Sequence, residues 1–137
     1  VIVQTYTPGH YSLQAARKHD YESFFNKELK LRAQLDYPPF TKLVNIIIEG
    51  KNNEEVMEAA SALGNFFDNY QDSILEIMGP SPAPIERIRN KYRWQIILKF
   101  KKYKRRNFVL RGISNNFLPY HNDRVKFNIE VDPVSML

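Results

Sequence analysis

The stretch GPSPAPIERIRNKYRWQIIL, Gly79 to Leu98, holds three prolines at alternate positions, then cations interleaved with aromatic and aliphatic residues, then a plainly apolar run. Each proline lacks an N–H and holds φ near −65°. Gly79–Pro84 is therefore expected to be a stiff, extended arm, poorly suited to a central strand. Tyr92–Phe100 has the β-branched and aromatic content of a strong strand. Two registers fit the residues between. As one continuous strand, alternation puts Arg87, Arg89, Lys91 and Arg93 on one side, in a row about 20 Å long at ~3.3 Å per residue, with Tyr92 and Trp94 turned to the core. As a hairpin, Arg89-Asn90-Lys91 is the tip, because Asn tolerates positive φ, and the cations crowd a projection beside which Tyr92 is free to stack on a base. A purely structural reading makes Trp94 core, Tyr92 half-buried and the arginines a solubilising edge.

Outward from this stretch the pattern is regular. Lys42–Glu49 reads as a strand with Val44, Ile46 and Ile48 on one face. Asn52 or Asn53 caps a helix with Glu54 and Glu55 in its first turn and Val56, Ala60, Leu63, Phe67 and Tyr70 as its buried stripe. Ile74–Met78 is a short strand, and Tyr103–Leu118 a helix with Leu110, Ile113 and Phe117 at helical spacing. In Arg124–Val131, Val125, Phe127, Ile129 and Val131 alternate with Lys126, Asn128 and Glu130, as in a strand with one buried and one wet face. The order from Lys42 is β-α-β-β-α-β. This is the split βαβ, ferredoxin-like α+β arrangement, a four-stranded sheet with two helices on one face.

Before this domain, residues 1–40 read differently. Val1–Tyr6 is expected to be a short strand without a partner, which frays or pairs with a neighbouring copy. Tyr11–Leu35 is helical, as one or two helices. Asp20 is placed to cap the second, and Tyr21, Phe24, Phe25, Leu29, Leu31 and Leu35 form its apolar stripe. Tyr37-Pro38-Pro39-Phe40 stops the helix and is expected to form an extended connection whose aromatics clamp it onto a core. The domain boundary is drawn there, leaving residues 41–137 as the βαββαβ domain.

The 137 residues carry a net charge of +5, and the charge is unevenly spread. Ile85–Arg124 holds 12 Lys and Arg against two acids, and the remainder is net acidic. A concentrated excess predicts a basic face and an acidic partner, of which nucleic acid is the commonest. The candidate contact residues are Arg87, Arg89, Lys91, Tyr92 and Arg93, extended by Lys101, Lys102, Lys104 and Arg105, with Lys99 and Arg106 enlarging the patch. There is no cysteine, which excludes disulfides and thiolate metal sites. No apolar run approaches a membrane span. Phosphate-loop and nucleophile-elbow patterns are missing, and His10, His19 and His121 are scattered, so no catalytic, cofactor or metal residues are assigned. The chain begins Val1-Ile2-Val3 and is expected to be a piece of a longer protein.

An ordered set of motifs spanning nearly the whole chain resembles the C-terminal region of the primosomal replication-restart helicase family (primosomal protein N′, PriA). They are Tyr37-Pro38-Pro39-Phe40, Gly79-Pro80-Ser81-Pro82-Ala83-Pro84, Arg87, Arg89, Tyr92-Arg93-Trp94-Gln95 and Val131-Asp132-Pro133. Val1–Tyr6 looks like the last strand of the family's second helicase lobe. Asp36 and Asn90 stand where the family usually has Gly, and Glu130 where it has Asp. The resemblance implies a parent that is an ATP-dependent 3′→5′ DNA helicase reloading the replicative helicase at stalled forks. Its ATP site and its cysteine-rich zinc region would both lie upstream. For this region it implies a non-enzymatic DNA-binding accessory domain, with a fold similar to a small-subunit ribosomal protein, in a cytoplasmic, nucleoid-associated setting. The implied partners are single-stranded and forked DNA, single-stranded DNA-binding protein, other primosome proteins and the parent helicase lobes. The alternatives are a protein-docking module, with Lys101–Arg106 taking an acidic tail, and RNA binding, which the ribosomal-like fold alone suggests.

Overall fold

The computed structural model describes residues 2–74, 76–117 and 124–133. The chain divides into two compact units, Val1–Tyr37 and Pro38–Leu137.

The first unit holds two helices, α1 (Tyr11–Arg17) and α2 (Tyr21–Gln34). The side chain of Asp20 caps α2 by accepting from the Ser23 N–H at 3.0 Å, as its position before the helix predicts. His19, with φ 54°, turns the chain between the helices. Across that turn the Tyr11 hydroxyl donates to Glu28 Oε2, and Arg32 Nε meets Glu28 Oε1 at 2.6 Å. The apolar stripe expected along α2 forms no core, since neither helix has a buried residue and Tyr21 remains 72% exposed. Nor is the strand expected over Val1–Tyr6 formed. Ile2–Tyr6 are not in a strand, and Ile2, Val3 and Tyr6 are exposed, because a segment without a partner has nowhere to place its ladder hydrogen bonds. Val1 lies outside the described residues. The Tyr37–Phe40 segment corrects a third expectation: Asp36, at φ 49°, reverses the chain, Pro38 and Pro39 form a turn, and both aromatics are exposed.

The second unit is a four-stranded antiparallel sheet of order β2-β3-β1-β4, from β1 (Lys42–Gly50), β2 (Glu76–Ile88), β3 (Lys91–Phe100) and β4 (Val125–Val131). Helices α3 (Asn53–Phe67) and α4 (Tyr103–Asn116) complete the βαββαβ order. Asn52 caps α3 through the Glu54 N–H at 2.8 Å, as its sequence predicts. Val44, Ile46 and Ile48 of β1, Ile96, Leu98 and Phe100 of β3, Val56, Ala60, Leu63 and Phe67 of α3, and Val109 and Ile113 of α4 form one core with no exposed surface. Phe127 and Val125 close it from β4. Tyr70 of the expected α3 stripe falls in a 3-10 turn, Asp68–Ser73, and is only partly buried. Leu118 and His121 lie outside the described residues. Among the described residues no helix is long and apolar enough to cross a membrane, and no three His, Asp or Glu cluster as metal ligands.

Two carboxylates of the first unit, Glu28 and Asp20, are held below their ordinary range. The Tyr11 hydroxyl, then Arg32, hold Glu28 down, and the Ser23 N–H holds Asp20 down. A carboxylate depressed in the fold contributes stability above its unfolded pKa and loses it as pH falls through the folded value. We predict that the helical carbon shifts of α1 and α2 collapse as the pH is lowered past the ordinary carboxylate range, while those of α3 persist. Glu28→Gln is expected to weaken α1 already at neutral pH.

Candidate nucleic-acid interface

The hairpin is the observed register, and it rearranges the expected row of cations. Arg89 and Asn90 have φ of 48° and 66°, the pair of left-handed residues that a two-residue type I′ turn requires. The tip is thus Arg89-Asn90, closed by Ile88 opposite Lys91. Folding at Arg89-Asn90 divides Arg87, Lys91 and Arg93 between two faces and leaves Arg89 at the tip. Arg87 stands opposite Tyr92 on one face, while Lys91 and Arg93 fall on the other.

Most hairpin cations are engaged within the chain. The Arg87 guanidinium lies 4.9 Å from the Tyr92 ring centroid and donates through Nη2 to Asn90 Oδ1. Lys91 Nζ meets Glu49 Oε1 at 2.6 Å. Arg93 Nη1 donates to the Ile85 carbonyl at 3.2 Å, bracing the irregular stretch between Pro82 and Arg87. Arg89 stands exposed at the tip with no carboxylate in ion-pair range among the described residues. Tyr92 is half-buried, with Arg87 against its ring. Trp94 packs on the core and donates from Nε1 to Asn53 Oδ1 at 3.1 Å.

The proline arm is part of the sheet rather than a separate lever. β2 runs continuously through Pro80, Pro82 and Pro84 as an edge strand. That is where proline is tolerated, because a missing N–H on the outer side breaks no ladder. Gly79, at φ 100°, is the one position here that needs glycine, since a Cβ would come within 2.6 Å of the Gln95 carbonyl.

The second group of predicted residues lies at the far end of β3. Phe100 pairs with Lys42 and Tyr92 with Gly50, so the β3–α4 corner and the hairpin sit at opposite ends of the sheet, roughly 30 Å apart at ~3.3 Å per residue. The nine predicted residues therefore form two clusters, not one patch. At the corner Lys101, Lys102, Lys104 and Arg105 are all exposed, and none pairs with a carboxylate among the described residues. Arg105 Nη1 donates to Ser73 Oγ at 3.5 Å. No side chain caps α4 at Lys102, and its first turn holds cations where the macrodipole favours acids.

Two residues counted in the patch are buried instead. Lys99 is 5% exposed and meets Glu76 Oε2 at 2.7 Å. Arg106 is also 5% exposed, stacks 4.3 Å from the Tyr103 ring centroid and meets Asp132 Oδ2 at 2.6 Å. Asp132 in turn accepts the Leu43 N–H through Oδ1 and donates its own N–H to the Leu43 carbonyl at 2.8 Å, so it latches α4 to β1 beyond the end of β4. Their partners lie 23 and 26 residues away, where no local pattern reveals them. Conversely, Arg111 is exposed on α4, outside the predicted set. Its spacing from Lys104 and Phe108 puts all three on one helix face, a signal legible in the sequence. Phe108 and Tyr103 are 58% and 57% exposed beside these cations.

The sheet face away from α3 and α4 is not a base-stacking platform. By register its described residues, from Glu76 and Met78 through Gln95 and Ile97 to Asn128 and Glu130, include no aromatic side chain. RNA binding by aromatics on an open sheet thus finds no support.

Fold and surface together define a ferredoxin-like α+β domain with basic clusters at both ends of one strand. The family model for the "Primosomal protein N C-terminal domain" matches residues 33–134, and the chain belongs to that family. It is 37% identical over 136 residues to the replication restart protein PriA of Synechocystis sp., covering 99% of this chain and 16% of that protein. It is 31% identical over 138 residues to PriA of Bacillus subtilis, covering 100% and 17%. The match to PriA of Borreliella burgdorferi is 37% over 106 residues, covering 75% and 16%. The chain thus spans less than a fifth of these relatives and corresponds to their C-terminal region.

The latch gives a direct test. Asp132→Asn retains the acceptor for Leu43 and the tolerance for φ 50°, but removes the charge facing buried Arg106. Urea denaturation is expected to show a loss of about 1–3 kcal/mol, because buried Arg106 loses its counter-charge while the half-exposed Asp132 side keeps the site open to water. Asp132→Ala is expected to lose more.

Proposed function

We propose that this domain binds nucleic acid non-enzymatically for a PriA-type replication-restart helicase, helping it engage single-stranded and forked DNA during primosome assembly. The observation that carries the reading is the set of exposed cations at the β3–α4 corner, Lys101, Lys102, Lys104 and Arg105, joined by Arg111, none with a carboxylate partner among the described residues. Cations crowded at a helix N-terminus repel one another and oppose the macrodipole. A polyanion relieves both costs and releases counterions. At the hairpin, Arg89 supplies a further phosphate contact, while Arg87, lying over the Tyr92 ring, offers its outer guanidinium face to a neighbouring base. Lys91 and Arg93 mainly hold the hairpin in shape.

A second reading, docking of an acidic protein tail such as that of a single-stranded DNA-binding protein, draws on Tyr103 and Phe108. Exposed rings beside Lys104 and Arg111 offer little to a phosphate backbone but suit an acidic peptide with apolar residues. Contact with the parent's helicase lobes belongs to the same class.

Fluorescence anisotropy with single-stranded and forked DNA over a salt series separates the readings. Affinity is expected to fall linearly in log–log form with salt. Each of Lys101→Ala, Lys102→Ala and Lys104→Ala should lower the slope by about one. Lys91→Ala and Arg93→Ala should change hairpin stability more than the slope. If the corner variants bind DNA like the parent chain but lose an acidic peptide, the corner is a protein-docking site and the nucleic-acid reading fails.

A further inference from the structure

The tip of the β2–β3 hairpin is braced beyond what reversing the chain requires. The left-handed pair Arg89-Asn90 makes the type I′ turn by backbone alone. Arg87 adds a hydrogen bond to Asn90 Oδ1 across the turn and lies over the Tyr92 ring. Lys91 is anchored to Glu49, and Arg93 reaches back to the Ile85 carbonyl. What this stiff tip presents outward is aliphatic as well as basic. Ile88 opposes Lys91 as the last cross-strand pair before the turn, yet it is 40% exposed, and Ile85 is 45% exposed. Arg87 stands on the other face with Tyr92, and Arg89 is exposed at the end.

An aliphatic side chain on a rigid ribbon, flanked by cations, has the parts needed to enter a base stack. The cations hold phosphates and set the position. The aliphatic group fills the gap between parted bases, and Ile is among the residues that do so. Stiffness keeps the inserted group from yielding to the stack. We propose that Ile88 is an unstacking wedge, set by the hairpin against the first base pair of a duplex where it meets single strand. The proposal rests on the nucleic-acid reading above and adds to it a preferred structure, the junction. The pair at a junction has duplex on one side only, so parting it costs less than parting a pair within the stack. Ile88 then takes the place of a stacked neighbour, and Arg89 is placed to take a phosphate of the strand turned aside.

Forked DNA carrying 2-aminopurine, a fluorescent base that stacking quenches, tests this with the whole chain. Anisotropy of an end label on the same DNA verifies that the fork is saturated. At saturation the probe should brighten in the junction pair and stay dark deep in the duplex. Ile88→Ser should lose at least about half of that rise, because a small polar group does not fill the gap. Ile88→Leu should keep it. Ile88 is exposed at a surface turn, and circular dichroism verifies that both variants keep the fold. Saturation without brightening overturns the wedge and leaves the nucleic-acid reading standing. So does a rise that Ile88→Ser does not reduce, that Ile88→Leu does not keep, or that is equally large deep in the duplex. A chain that does not bind forked DNA at all defeats both.

Discussion

The register of β3 on β1 is the constraint from which the rest of the domain follows. Ile96 opposite Ile46 and Leu98 opposite Val44 put the apolar residues of both strands on one face, where α3 and α4 cover them. A shift of one residue would turn that set outward and remove the core, so the register admits no slack. The same pairing fixes Tyr92 beside Gly50 and Phe100 beside Lys42. The ends of β3 are thereby sent to opposite ends of the sheet, each with its own cluster of cations. The charge distribution is a consequence of packing, and the packing separates what the linear sequence runs together.

Separation changes which cations are available to a ligand. Lys99 and Arg106, which in sequence belong to a basic run, are both buried beside carboxylates. Glu76 and Asp132 compensate them there. Asp132 serves both strand and helix, accepting from Leu43 through one oxygen and meeting Arg106 through the other. Burying an arginine is tolerable only with such a partner. What remains outside is Lys101, Lys102, Lys104 and Arg105, held on a corner whose inner residues are fixed.

Much of this fold was legible in the sequence. The stripes of β1 and α3, the alternation of β4, the caps at Asp20 and Asn52 and the turn at Asn90 rest on spacing and local chemistry, and local chemistry decided them. Long-range facts were not legible. The row Arg87-Arg89-Lys91-Arg93 broke because one turn reverses the chain between Ile88 and Lys91. The buried state of Lys99 and Arg106 depends on carboxylates more than twenty residues away. The strand expected at Val1–Tyr6 had the right composition but no partner, and composition cannot supply one. The prolines of β2 signalled an extended segment unsuited to a central strand, but not that it would be a sheet edge.

If the proposed function holds, the cations with no carboxylate partner among the described residues, and not the whole basic run, meet the nucleic acid. Backbone amide shifts of the labelled chain during titration with a single-stranded oligonucleotide measure this residue by residue. The largest changes are expected at Lys101–Arg105 and at Arg89–Asn90, with small ones at Lys99 and across Asn45, Gln95 and Asn128. Shifts centred on that last group, with the β3–α4 corner unmoved, would contradict it.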